Sequence, residues 1–235
     1  IHFPSSFEDI VPALRRLKYE ELFKLQFNLQ MKKYINEKHF SEAYTEATLS
    51  RKVIKELPFK LTTGQKKALK DIKEDLFSTK PMNRLIQGDV GSGKTLVAMI
   101  SMILAFENGY ASAFMVPTEV LAVQQYEILK EALKKYNIKV DILHSSMPAP
   151  AKKLALYNLR EGKTDIIVGT HSLFSDNVEY KKLGLVIIDE QHKFGVRQRL
   201  SLIKKGENLN VLVMTATPIP RTLSLTLYGD MKISL

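Results

Sequence analysis

Cysteine is absent from the 235 residues, which rules out a disulfide framework and any thiolate metal site and suits a cytoplasmic protein. Long apolar runs are missing too. Nothing approaches the ~18 uninterrupted hydrophobic residues of a membrane span, so none is expected. The opening residues, Ile1-His2-Phe3-Pro4-Ser5-Ser6, carry neither an initiator methionine nor a secretory-signal pattern, and the chain reads as a segment of something longer. Glycine does not occur before Gly64, and the stretch up to residue 57 shows no strand signal. Acidic residues are outnumbered: 25 Asp and Glu face 35 Lys and Arg, a net charge of +10. That balance favours polyanionic partners, nucleic acid first among them, although a scattered solvated surface would give the same sum. What is present suffices for a core. Hydrophobic residues make up 45%, and the length allows one α/β domain of the usual ~100–150 residues plus an appendage.

Two patterns divide the chain. Up to residue 57 the signals are helical. Ser6 can cap a short helix through Leu17, with Pro12 limiting its regularity. Over 19–34, Leu22, Leu25 and Leu29 recur with Phe23 and Phe27 at helical spacing, and a third helix is expected over 39–55. These apolar positions read as packing contacts rather than a ligand box. Beyond Pro58, strands are expected at 84–87, 111–116, 139–143, 165–168, 185–188 and 211–214, with helices over 63–77, 96–106, 119–136 and 149–161. Gly109 and Gly162 fall just past helix ends, as C-terminal caps do. Such alternation builds an α/β fold, a doubly wound parallel sheet whose strand C-termini carry the chemistry. The expected organisation is a helical arm or linker at 1–57 and a sheet domain at 58–235.

The most specific motif is Gly88-Asp89-Val90-Gly91-Ser92-Gly93-Lys94-Thr95, which fits G-x-x-x-x-G-K-[ST]. Glycines let backbone N–H groups converge on phosphate oxygens, Lys94 can place a point charge on the outer phosphates, and the Thr95 hydroxyl can ligate Mg2+. A strand upstream and a helix downstream put the phosphates at a helix N-terminus, where anions are favoured. The expected ligand is a nucleoside triphosphate. Its second half is Asp189-Glu190, at the end of the apolar run Leu185-Val186-Ile187-Ile188. Asp189 can hold Mg2+ through water, and Glu190 can orient and deprotonate the attacking water.

Together with these two segments, Thr215-Ala216-Thr217 completes a set that resembles motifs I, II and III of superfamily 2 helicases, motif II reading Asp189-Glu190-Gln191-His192. Pro117-Thr118-Glu119-Val120-Leu121-Ala122 with Gln124-Gln125 is similar to motif Ia, and Val168-Gly169-Thr170-His171 to motif Ib. Leu57-Pro58-Phe59 with Leu61-Thr62 and Gln65 resembles the adenine-reading Q-type motif, where a glutamine amide matches adenine N6 and N7. The resemblance narrows to the RecG family of branch-migration helicases. It is carried by Pro81-Met82-Asn83-Arg84-Leu85 before the phosphate loop and by Lys193-Phe194-Gly195-Val196-Arg197-Gln198-Arg199 after motif II. Pro218-Ile219-Pro220-Arg221-Thr222-Leu223 after motif III is shared with transcription-repair coupling factors. Lys193 departs from the arginine usual there, with the charge kept.

The resemblance implies a RecA-like motor domain, the first of two, with the second motor domain and a junction-binding wedge domain lying outside this stretch. It implies ATP and Mg2+ as cofactors and branched DNA as partner, in fork reversal and junction branch migration. By matching motifs, Phe59, Gln65 and Gly88 to Thr95 would hold the nucleotide, Thr95 and Asp189 the metal, and Lys94, Asp189 and Glu190 the chemistry. Gln191, His192, Thr215 and Thr217 would couple phosphate sensing to DNA, and Thr118, Thr170, His171, Arg197, Arg199 and Arg221 would touch it. Without the partner domain's arginines, slow hydrolysis is expected of this stretch alone. A coupling translocase and a non-catalytic nucleic-acid-binding module stay open as alternatives, the latter opposed by intact Lys94, Thr95, Asp189 and Glu190. Motifs I to III do not separate DNA from RNA.

Overall fold

The computed structural model describes Ser6, Glu8 and residues 10–36, 40–190, 209–217 and 231–234. By contact, the chain forms two compact units, and helix α1 (Ile10–Asn36) lies in the first. The two helices expected over 6–17 and 19–34 are one. Pro12 falls in the first turn, where its missing N–H would have no helical partner anyway, so it does not interrupt the helix. Along α1, Tyr19, Phe23 and Phe27 stack on one another at 6.1 and 6.2 Å between ring centroids. Leu22, Phe23 and Phe27, expected as packing positions, are exposed.

The second unit comprises the described parts of Phe40–Pro218 and Lys232–Leu235. Its seven strands are β1 (Asn83–Gln87), β2 (Ala111–Met115), β3 (Val140–Leu143), β4 (Ile166–Gly169), β5 (Leu183–Asp189), β6 (Asn210–Thr215) and β7 (Lys232–Ser234). All pair in parallel, in the order β3-β4-β2-β5-β6-β1-β7. Helices α2 (Thr48–Glu56), α3 (Thr63–Leu76), α4 (Lys94–Glu107), α5 (Glu119–Leu133) and α6 (Ala149–Glu161) complete the unit. Parallel crossovers are right-handed, and the chain reverses its direction across the sheet at β3. That reversal puts α6 on the face opposite α4 and α5. The doubly wound sheet expected from alternation is therefore what forms. Gly109 and Gly162 are both left-handed, with φ 78° and 69°, just beyond α4 and α6.

Burial on both faces explains the apolar runs. Leu185, Val186 and Ile187 of β5, Phe114 of β2 and Ile166, Ile167 and Val168 of β4 are fully buried. Helix α4 is buried along most of its length from Val97 to Ala105, because α2 and α3 cover the side that would otherwise meet water. Residues 40–57 were expected in the arm, but they pack in the second unit, where Tyr44, Ala47 and Val53 join the core. The reason is polar as well. Asn108 Oδ1 accepts the N–H groups of Thr45 (2.7 Å) and Glu46 (3.0 Å). Glu107 accepts those of Leu49 (2.7 Å) and Ser50 (3.4 Å), capping an α2 that has no side-chain cap of its own. By contact, the division falls between 39 and 40 rather than at 57, and the helix expected over 39–55 shortens to Thr48–Glu56.

Strand β7 was not expected. It is three residues long, too short for a periodic pattern, and it is held by charge. Arg84 of β1 reaches Asp75 (2.7 Å) and Asp71 (3.3 Å) of α3 and donates to Ser234 Oγ (2.6 Å). Lys232 donates to Asp75 (2.6 Å) and Ser234 to Asp71 (2.7 Å). With Arg84 and Asp75 nearly buried, this network ties β7 to β1 and α3.

Candidate nucleotide site and the facing sheet edge

The phosphate loop fills the turn between β1 and α4. Gly93 is the N-cap of α4 in left-handed conformation (φ 83°), and Gly91 has φ 80°. The dihedral requires glycine, and a Cβ on Gly93, 2.3 Å from Gln65 Nε2, would also push that amide off Ser92 O. The N-cap Gly93 has no side chain to cap α4, which leaves the helix's first N–H groups for an anion. Lys94 opens the helix, and its Nζ donates to the carbonyls of Gly88 (2.7 Å) and Asp89 (2.8 Å). An ammonium has three donors, so two brace the loop around the charge and one is left for an outer phosphate. Ser92 N–H donates to Asp89 O at 3.2 Å, closing the turn. Thr95 follows in the first turn, half-buried, while Asp89 and Val90 are exposed.

Across the site, β5 ends at Asp189, and Glu190 turns out of the strand with φ 54°. A non-glycine residue held there costs about 1–2 kcal/mol, and its surroundings over-determine it. Glu190 N–H donates to Met214 O (2.9 Å), and its carboxylate accepts from Ala216 N–H (3.0 Å) and the Thr215 hydroxyl (3.4 Å). Thr215 Oγ1 pairs with Thr217 Oγ1 at 2.8 Å. On its other flank, Thr215 O accepts the N–H of Gly88 at 3.2 Å. One residue of β6 is thus bonded to the phosphate loop and to the acidic pair. Strands β1 and β5 each neighbour β6, which sets the two halves of the site about 10 Å apart. The direct bond from Glu190 to Thr215 and Ala216 was not foreseen, because it depends on the β5–β6 pairing, which leaves no mark in the sequence.

Gln65 is bonded on three sides within the protein. Its Oε1 accepts Thr62 N–H (3.0 Å) and its N–H donates to Thr62 Oγ1 (3.2 Å), a reciprocal cap on α3. Its Nε2 donates to Ser92 O at 2.8 Å. The amide ties the start of α3 to the phosphate loop, with one N–H and one lone pair left for a base. Phe59 is exposed beside it in sequence, on the wall of an apolar cavity of about 800 Å³ between α2, α3 and α4.

A DEAD/DEAH box helicase model matches residues 62–226. The chain belongs to the DEAD/DEAH box helicase family. From end to end this helicase domain is similar to ATP-dependent DNA helicase RecG of Thermotoga maritima, 47% identical over 236 residues and covering 100% of the chain and 30% of the relative. RecG of Streptococcus pneumoniae is 48% identical over 243 residues, covering 100% of the chain and 35% of the relative. A solved structure of RecG bound to a three-way DNA junction matches with a TM-score of 0.82 and 46% identity, over 98% of this chain and 31% of that one. The resemblance to RecG and the RecA-like sheet both stand. The helicase domain spans about a third of the length of these relatives. Nucleotide binding follows from the family. Among the described residues, no helix is long and apolar enough to cross a membrane.

The other half of the strand C-terminal edge, at β2, β4 and β3, carries three of the positions expected to contact DNA, Thr118, Thr170 and His171. Thr118 is the exposed N-cap of α5; its Oγ1 accepts Leu121 N–H at 3.3 Å, and its own O–H remains a donor. His171 is exposed. Thr170 is not available: it is 3% exposed, with its hydroxyl 3.4 Å from Ser172 Oγ, because Ser172 bonds back to Leu143 O (3.0 Å) and draws the turn inward. Beside Thr118, the Glu119 carboxylate accepts hydroxyl and backbone bonds from Ser145 and Ser146. The Ser145 hydroxyl first, then that of Ser146, lower its pKa to about 2. Gln191, His192, Arg197, Arg199 and Arg221 lie outside the described residues.

Proposed function

We propose that this chain is the ATP-binding first motor domain of a RecG-type DNA helicase that works on branched DNA in fork reversal and branch migration. The observation that carries this is Thr215, which joins Gly88 of the phosphate loop to Glu190 across adjacent strands. The names of its relatives, an ATP-dependent DNA helicase and a RecG bound to a three-way junction, supply the substrate class. The nucleotide would lie on the α4 N-terminus, with Lys94 at its outer phosphates and Glu190 as the base for the attacking water. Thr95 and Asp189 offer hard oxygen ligands that fit a hydrated Mg2+, which when bound neutralises charge on the transferring phosphate. Loss of the outer phosphate would be felt at Glu190 and passed through Thr215 and Thr217, a two-state element biased by the ligand. A second motor domain would close the cleft and supply arginines worth roughly 10³–10⁵ in rate. The protein would work in the cytoplasm, and Thr118 and His171 would contact the DNA backbone without reading sequence.

The test is ATP turnover by the complete helicase titrated with a three-way DNA junction. The junction should stimulate hydrolysis, and Lys94→Ala should lower it at least about a hundred-fold. Turnover that survives Lys94→Ala would remove the nucleotide assignment, and turnover indifferent to any DNA would remove the substrate.

A further inference from the structure

The loop between β3 and α6, residues 144–148, has no assigned role, yet one side chain gathers it. Glu119 Oε1 accepts the N–H groups of Ser145 at 3.1 Å and Ser146 at 3.3 Å, together with the Ser145 hydroxyl. Its Oε2 accepts the Ser146 hydroxyl and lies 3.5 Å from His144 Nδ1, itself 3.0 Å from Ser146 Oγ. A first-turn acid normally answers the free N–H groups of its own helix. This one faces away from them, toward a neighbouring loop.

The sheet does not make this connection. Strand β4 lies between β2 and β3, so the segments that follow those two strands start about 10 Å apart with no ladder between them. Glu119 spans that gap over the end of β4, whose own following turn carries His171. One carboxylate therefore ties the segment after β2 to the segment after β3, on either side of the turn that carries His171. Charge is the opposing consideration, since a carboxylate near DNA repels phosphate. Four donors already converge on these two oxygens, and an exposed charge at this distance is screened by salt. Loss of order in the loop is the larger effect, because each freed residue regains its backbone entropy.

We infer that Glu119 is a positioning residue for DNA, holding the 144–148 loop against the α5 N-terminus so that this loop joins Thr118 and His171 in one phosphate-contacting strip. This rests on the reading that this half of the edge meets DNA. The experiment is ATP turnover of the complete helicase against three-way-junction concentration. Glu119→Ala should raise the half-saturating DNA concentration about ten-fold, as expected for one or two lost net contacts. Turnover without DNA, turnover at saturating DNA and KM for ATP should stay within about two-fold, the pattern of lost binding rather than lost chemistry. Glu119→Gln keeps an acceptor for both N–H groups and should restore most of the affinity. The double change Ser145→Ala with Ser146→Ala cuts the clamp from its other end and should reproduce the rise. An unchanged half-saturation in both, or a lowered one showing that Glu119 only repels DNA, overturns the positioning role. So does a fall confined to saturating turnover, which marks a structural effect. A wild-type protein that ignores the junction sinks the DNA reading and the positioning role together.

Discussion

The two halves of the sheet edge are built differently. At β1, β6 and β5, main chain does most of the holding: left-handed Gly91, Gly93 and Glu190, carbonyls that brace Lys94, and backbone bonds from Gly88 and Glu190 into β6. At β2, β4 and β3, side chains do it, through Thr118 on α5, Ser172 on Leu143 and Glu119 on Ser145 and Ser146. Beneath the first half lies the nearly buried Arg84 network, whereas the Arg160–Glu179 pair after β3 and β4 is exposed. Chemistry on a phosphate needs fixed donors, because misplacement by 1 Å costs rate steeply. A polymer that must be gripped and released is better met by bonds that exchange with solvent.

The contrast can be broken in three ways. Glu190→Gln should lower hydrolysis by about 10²–10⁴ with nucleotide affinity kept within a few-fold, because the amide still accepts from Ala216 N–H. Loss of nucleotide binding instead would make Glu190 a structural residue. Next, Arg84→Met leaves Asp75 with Lys232 and Asp71 with only the Ser234 hydroxyl and should lower unfolding stability by about 3–5 kcal/mol in a denaturant titration. A loss under about 1 kcal/mol would place the network with the exposed pairs. The smallest effect concerns pH. Glu119 is lowered from 4.5 to about 2, so its clamp is fully present above about 4.5 and is lost as pH falls toward about 2. Side-chain NMR titration of Glu119 with a midpoint near 4.5 would break the clamp.

Legibility followed the same division. The turn from Gly88 to Thr95 was readable because its glycines supply left-handed backbone, and the strands around it because they are buried on both faces. Helix ends at Gly109 and Gly162 were readable from backbone freedom. Contacts that depend on which strands are neighbours were not: Glu190 to Thr215, Arg84 to Ser234, and Glu119 over β4 to Ser145. Thr170 was misjudged for a related reason, since only the turn that buries Ser172 shows it facing inward. The arm boundary slipped because Asn108 and Glu107, distant in sequence, hold residues 45–50.

Glu190 sits at φ 54°, an angle that glycine adopts freely and glutamate does not. Glycine at that corner would relax the backbone but strip the carboxylate that accepts from Ala216 N–H and the Thr215 hydroxyl. The strained corner is thus held by the same side chain whose bonds join the end of β5 to β6.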